Sequence, residues 1–185
     1  VRNLFYNVPA RLKFLKSDIT EKQKISSIMT KFALAYPNIR FKLFNEKQLI
    51  LHTSGNGDRR EILNQLYGVD IAKQMLEVIF EDHPYRINGY ISPISITRSN
   101  RKDITFFVNG RWIQDIALNS ALLKAYHTMI MVGRYPISVL FLEFPEAFVD
   151  VNGHPTKAEV RFSQPDLVFS MVQRAARRAL LAYSP

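Results

Sequence analysis

The residues best equipped for chemistry stand close together late in the chain, in the stretch DVNGHPTKAEVRF at 150–162. Asp150, His154 and Lys157 offer a carboxylate, an imidazole and an ammonium. A histidine beside a lysine invites a general acid–base reading, but no third group sits at a spacing that would complete a catalytic set. His154 therefore reads as a loop histidine bonded to nearby backbone, and Asp150 as a polar group fixing the loop. Lys157 is a compact point charge, suited to a phosphate held elsewhere. On its own residue type, the plainer reading is an ordinary surface lysine.

Other site chemistries find little support. His52, His83 and His127 are scattered, with no paired ligand spacing, so no metal site is expected. No serine sits in a G-x-S-x-G elbow. There is no G-x-x-x-x-G-K-[ST] and no G-x-G-x-x-G, and Gly55-Asn56-Gly57 is too short for either. The chain thus has no phosphate cradle of its own.

Basic residues are the second candidate feature. They fall in three segments: Arg98, Arg101 and Lys102; Arg111 with Lys124; and Arg174, Arg177 and Arg178. If they converge on one face, they can bind a DNA backbone without reading sequence. The alternative is that each is a solvated rim. Trp112 and the Phe106-Phe107 pair could stack on bases, but their alternation in a hairpin favours core packing.

The elements that must position these residues follow from periodicity. Residues 1–6 read as a strand end. Asn7-Val8-Pro9 opens a helix through residue 16, with Pro9 in the first turn, where its missing N–H costs nothing. Thr20 to Gln23 has capping-box spacing and opens a second helix, with Ile25, Ile28, Met29, Phe32 and Ala33 as its inner face. Residues 39–53 alternate about a turn at Asn45-Glu46-Lys47 and predict a hairpin. Asp58 caps a helix to Tyr67, which Gly68 ends. Residues 75–80 and 85–91 are strands, and 92–102 is a polar loop expected to be mobile. Residues 104–108 and 111–113 form a hairpin about Asn109-Gly110. Asp115 caps a helix with Leu118, Ala121, Leu122, Ala125 and Met129 as its stripe. The nearly continuous apolar run 137–144 predicts a central strand buried on both faces. The stretch at 150–162 then forms a loop between two strands, its centre marked by the turn dipeptides Asn-Gly and His-Pro. Ser163 caps a last helix with Pro165 at its start. Its inner face is Val168, Met171, Val172, Ala175 and Ala179, and its three arginines lie outside. The interleaving predicts an α/β two-layer sandwich, a mixed sheet with helices on one side.

Composition bounds the rest. The chain has 185 residues, 47% of them hydrophobic and 22% charged, enough for one full core or for one domain plus a piece of another. The net charge of +9 favours a polyanion partner, nucleic acid or an acidic membrane, though charge alone fits a solvated basic surface equally well. There is no cysteine, which excludes disulfides, thiol nucleophiles and thiolate metal sites. No apolar run approaches the roughly 18 residues of a membrane span, and no signal peptide opens the chain. A cytosolic protein fits these features. Val1-Arg2-Asn3 runs straight into apolar sequence without an initiator Met, as an internal stretch of a longer protein would.

Three strings add a resemblance. LFYNVPARLKFL at 4–15, FVNGRWIQD at 107–115 and DVNGHPTKAEVRF at 150–162 together resemble the MutL family of DNA mismatch repair proteins, over the whole chain. The resemblance implies the tail of a GHKL-type ATPase domain at 1–37, where Asn7, Pro9 and Arg11 belong to its FYNxPAR string. Residues 38–185 would be a transducer domain with a ribosomal-protein-like fold and a left-handed βαβ crossover, against the usual handedness. By the family pattern Lys157 reaches into the ATPase domain and contacts the γ-phosphate, with Asp150, Asn152, His154 and Pro155 supporting its loop. ATP and Mg would be held mainly by upstream residues, and this stretch alone would be inactive. The implied partners are DNA bound without sequence preference, a second MutL-type chain, a MutS-type mismatch-recognition protein, and downstream nicking and unwinding enzymes. The implied location is cytoplasmic, at the nucleoid in a bacterium, or nuclear in a eukaryote. Arg111 matches the family's basic position after NG, whereas Gln114 replaces a later position that is often basic. Gly153 replaces a β-branched residue, which loosens the loop by roughly 0.5–1 kcal/mol of backbone entropy. A generic α/β nucleic-acid-binding domain with no link to ATP is the alternative.

Overall fold

The computed structural model describes residues 5–150 and 160–183. The chain divides into two compact units, residues 1–66 and 67–185. Residues 38–66, read from sequence as the start of the second domain, fall in the first unit.

In the first unit, α1 spans only Pro9–Leu12. It does not continue to residue 16, because Phe14 and Leu15 donate to carbonyls three residues back, at Arg11 and Leu12. Phe5 to Asn7 form a turn, with Phe5 at positive φ, where the sequence suggested a strand end. Helix α2, Asp18–Ala35, begins before the expected Thr20. Ser17 is its N-cap and accepts from the Thr20 N–H at 3.4 Å, while Glu21 accepts from the Lys16 N–H at 3.1 Å. Of the expected inner face only Ala33 is buried, joined by Leu34; Ile25, Ile28 and Phe32 are exposed. Periodicity identified the apolar stripe, but a stripe is buried only where something packs on it.

Strands β1, Lys42–Asn45, and β2, Gln48–His52, form the expected antiparallel hairpin, with a register shift between Leu43 and Phe44. Helix α3, Arg59–Tyr67, follows. Asp58 caps it by accepting from the Arg60 N–H at 2.8 Å. Three bonds lock this unit. Arg59 Nε donates to the Leu34 carbonyl at 3.0 Å, Ser54 Oγ to Glu61 at 2.5 Å, and the Phe41 N–H to Thr53 Oγ1 at 2.9 Å.

The second unit opens with α4, Val69–Gln74, a helix too short for periodicity to reveal. Strands β3, Leu76–Asp82, and β4, Tyr85–Ile91, form a hairpin. The expected polar loop at 92–102 is held at its start and at its middle. Its β5, Thr97–Arg98, pairs with β8, Tyr135–Pro136, and the buried Ser92 accepts from the Ile137 N–H at 3.0 Å. Strands β6, Ile104–Val108, and β7, Arg111–Ile113, turn about Asn109 and Gly110, both at positive φ as a tight hairpin requires. Helix α5, Ile116–Ala125, starts on Asp115, which accepts from the Leu118 N–H at 2.8 Å. Strand β9, Ser138–Glu143, leads through a 3₁₀ turn, Glu146–Phe148, into β10, Val149–Asp150. Strand β11, Arg161–Phe162, precedes α6, Pro165–Ala182. The N-cap of α6 is Gln164 and makes no side-chain bond, so Ser163 does not cap it. Pro165 fills the first turn instead.

The sheet order is β3-β4-β9-β6-β7, antiparallel except for the parallel β6–β9 pair, whose connection passes through α5. This is the expected mixed α/β sandwich. One face packs on α5 and α6: Val78, Phe80, Ile87, Phe106, Leu140 and Leu142 meet Leu122, Tyr126, Met171 and Val172. Central β9 is buried along both faces, as its continuous apolar run predicts. Gly89 lets β4 approach it, since a Cβ there would stand 2.1 Å from the Val139 carbonyl oxygen.

Candidate functional site

The described residues on either side of the Lys157 stretch are β10, reached from β9 through the 3₁₀ turn, and β11. These flanks are joined by a short antiparallel ladder, Val149 opposite Phe162 and Asp150 opposite Arg161. Phe148 and Val149 are buried in the core, and Val160 and Phe162 pack against it. The Ser163 N–H donates to the Phe148 carbonyl at 3.0 Å, closing the base. Four aromatic rings surround this base. Phe144 meets Phe162 edge-on at 5.9 Å and Phe148 at 5.4 Å, and Tyr85 contacts Phe144 at 5.7 Å and Phe148 at 5.1 Å. Such edge-to-face and tilted pairs fix ring positions beyond what area burial alone achieves.

Asn152, His154, Pro155 and Lys157 lie outside the described residues. Asp150 is exposed in β10 and engaged by neighbours. Asn7 sits in the turn before α1, with Pro9 at its first position and Arg11 within it, all three exposed.

Sequence reasoning missed Asn109. It read the residue as a turn signal, but the side chain also braces the base of the Lys157 stretch. The Asn109 amide donates to the Phe144 carbonyl at 3.0 Å, and its oxygen accepts from the Phe144 N–H at 2.9 Å. Its backbone N–H donates to the Leu142 carbonyl at 2.9 Å. One side chain thus ties the β6–β7 turn to the end of β9. A turn asparagine next to the end of a central strand is a weak sequence signal, because the partner is remote in the chain.

The basic candidates divide by what already holds them. Arg98 is paired with Asp103 at 3.0 Å, and Arg101 lies over the Tyr135 ring at 5.1 Å. Arg134, which the sequence did not single out, donates to Thr97 Oγ1 at 2.9 Å and to the Thr97 carbonyl at 3.1 Å. It joins Arg98, Arg101 and Lys102 around the β5–β8 ribbon. Arg177, expected to lie outside, is partly buried instead: it donates to the Ala125 carbonyl at 3.0 Å and so caps the C-terminus of α5. Arg174 lies over the Phe80 ring at 5.4 Å. Lys102, Arg111 and Arg178 are exposed.

Topology sets how far apart these groups stand. Phe80, Ile87, Leu142, Val108 and Arg111 form one cross-strand row through all five strands. Arg111 is on one edge strand and Phe80 on the other, roughly 19 Å away at the usual strand spacing. The β5–β8 ribbon adjoins the opposite end of β6, about 13 Å along the strands. The candidates therefore occupy three places on this unit. Phe107 is also accounted for structurally: it stacks on Phe141 at 4.9 Å and is 1% exposed, so it presents no face to a base.

Among the described residues no three His, Asp or Glu side chains are grouped to hold a metal ion. No described helix is long and apolar enough to cross a membrane.

Comparison with known proteins bears on this site. The family described as "DNA mismatch repair protein, C-terminal domain" matches residues 63–181. The chain is 40% identical over 179 residues to the DNA mismatch repair protein MutL of Staphylococcus saprophyticus, covering 97% of this chain and 27% of that protein. It is 43% identical over 180 residues to the MutL of Lactococcus lactis subsp. cremoris, covering 97% of this chain and 27% of the relative. It thus spans little more than a quarter of these relatives. Among solved structures, the N-terminal domain of a DNA repair protein superposes with a TM-score of 0.76 at 23% identity, covering 96% of this chain and 59% of that one. The Aquifex aeolicus MutL ATPase domain complexed with ADP gives 0.62 at 24% identity, covering 93% and 55%.

Proposed function

Because the chain belongs to the MutL family of DNA mismatch repair proteins, we propose that residues 38–185 are its transducer domain and residues 1–37 the tail of its GHKL-type ATPase domain. In this reading the transducer couples ATP binding and hydrolysis in the adjacent domain to dimerisation and DNA binding. It also passes a signal from a MutS-type recognition protein to nicking and unwinding enzymes.

The supporting observation is the rigid base of the Lys157 stretch. The β10–β11 ladder, the aromatic cluster and the Asn109 brace hold both flanks against the core. Fixed flanks set where the stretch carrying Lys157 leaves and re-enters the domain, and so bound the space its cation can reach outside that domain. The residues present fit an auxiliary part, not a whole nucleotide site. The sequence contains no glycine-rich cradle, and Lys157 adds one positive charge. When bound, ATP with Mg supplies the phosphoryl group and the charge that develops on it during transfer. Lys157 would stabilise that charge and distinguish a triphosphate from a diphosphate. The DNA reading rests on the exposed Arg111, Arg101, Lys102, Arg174 and Arg178, with Arg98 and Arg177 shaping their surroundings.

The test is Lys157→Ala in the full-length protein. Losing one charge-assisted contact, worth about 1.5–3 kcal/mol, should slow ATP turnover roughly ten- to a hundredfold while the melting temperature holds. Unchanged turnover would remove the phosphate role. ATP-dependent dimerisation of the same protein, followed by light scattering, separates this reading from a plain nucleic-acid-binding domain, which requires none.

A further inference from the structure

An open groove of about 670 Å³ runs between β3 and the C-terminal half of α6. Its lining includes Phe80, Gln173, Arg174, Arg177, Arg178 and Leu181, and no acidic side chain among the described residues. Positions 174, 178 and 181 recur at helical spacing and share one face of α6. Arg174 is held over the Phe80 ring at 5.4 Å, which restrains a side chain that would otherwise lose much rotamer entropy on binding. No described carboxylate pairs with Arg174 or Arg178. Arg177 is turned to the Ala125 carbonyl and forms part of the wall. Leu181 is 55% exposed at the end of the groove, an apolar contact left open beside two cations that no described carboxylate pairs.

We propose that this groove binds an acidic peptide segment of a partner protein. Carboxylates of the peptide meet Arg174 and Arg178, and an apolar side chain covers Leu181. Charge complementarity selects the acidic partner. The apolar wall selects a peptide over nucleic acid: a phosphate backbone would use the arginines and leave Leu181 in water, whereas a peptide uses both. Arginine is enriched at interface hot spots, and Arg174 is already restrained over the Phe80 ring. The groove lies at the β3 edge, across the sheet from Arg111; with Arg174 and Arg178 given to the peptide, the DNA reading narrows to Arg111, Arg101 and Lys102. This proposal stands apart from the ATP coupling and does not depend on Lys157.

The test is fluorescence anisotropy on this chain with a labelled peptide of alternating Glu and Leu, its Gln–Leu counterpart, and a short duplex DNA. The Glu peptide should bind and the Gln peptide should not. Arg174→Glu combined with Arg178→Glu should weaken the Glu peptide by about a hundredfold, and Leu181→Ser by about tenfold, roughly one decade per lost contact. Both changes are on the exposed face of α6, and circular dichroism confirms that each variant keeps its helix content. Duplex binding should be indifferent to Leu181→Ser. The proposal is overturned if the peptide binds all variants equally, or if the arginine changes release the duplex but not the peptide.

Discussion

Asn109 combines two demands that one substitution can separate. Its backbone sits at φ +48°, which asparagine tolerates and glycine prefers. Its amide meets both backbone groups of Phe144. Asn109→Gly keeps the turn and removes both side-chain bonds, so any effect belongs to the brace. It should lower the free energy of unfolding by about 1–3 kcal/mol, read as a fall in urea midpoint at constant slope. Asn109→Asp keeps the acceptor for the Phe144 N–H but sets a carboxylate oxygen against the Phe144 carbonyl, so it should also destabilise. Equal stability of Asn109→Gly and the parent would show that the brace contributes nothing. Arg177 carries the same lesson at another position. Its residue type and helical phase suggested an outward cation, but the end of α5 offers a free carbonyl within reach, and the guanidinium takes it.

At the scale of elements, Tyr126 joins α5 to the strand ends. It is fully buried, and its hydroxyl donates to the Ser92 carbonyl at 2.5 Å. The Ser92 hydroxyl donates to the Ile96 carbonyl at 2.8 Å and accepts from the Ile137 N–H at 3.0 Å. This network holds the start of the 92–102 segment, which polarity alone suggested would be loose. Tyr126→Phe leaves a carbonyl without its donor and should cost about 1–2 kcal/mol. Burial also pushes the Tyr126 phenol well above its ordinary value of 10.0, outweighing the opposing effect of the Ser92 bond. A raised folded pKa means that the fold favours the neutral phenol. That stability is fully present below pH 10 and is lost as pH rises above it. Tyr67 is shifted in the same direction, chiefly by burial. The parent should therefore lose stability between about pH 10 and 11 in urea titrations, and Tyr126→Phe should flatten part of that slope. An identical slope in both proteins would exclude Tyr126 as a contributor.

At the scale of the molecule, a net charge of +9 makes a polyanion partner reasonable, and the fold spreads the candidates over three places. Such a distribution suits a long ligand that touches several points, each adding one released counterion. If Arg111 contacts a DNA phosphate, Arg111→Ala should weaken binding about equally across DNA sequences. It should also reduce the slope of log affinity against log salt by about 1. Binding titrations at several salt concentrations would show this, and an unchanged slope would place Arg111 off the DNA. The chain spans 27% of its Staphylococcus and Lactococcus relatives, so any such assay on the longer protein reads this unit together with others.

Local rules sufficed at several local signals, though not at the Ser163 cap or the end of α1. The Asn109-Gly110 hairpin, the Asp58 and Asp115 caps and the buried run of β9 all follow from residue type and period, and the structure agrees. The family follows from three strings whose order is fixed by the chain. Tertiary structure decided what depends on a partner distant in sequence. The apolar stripe of α2 is legible, but whether Ile25 and Phe32 are covered is not, because periodicity names a face and not its neighbour. The β5–β8 pairing, the Asn109 brace and the Arg177 cap each join residues from separate elements. Spacing along the chain could place Lys157 in a loop between two strands. Only the fold showed the flanks of that loop fastened to a packed aromatic base, since rigidity comes from contacts closed in three dimensions.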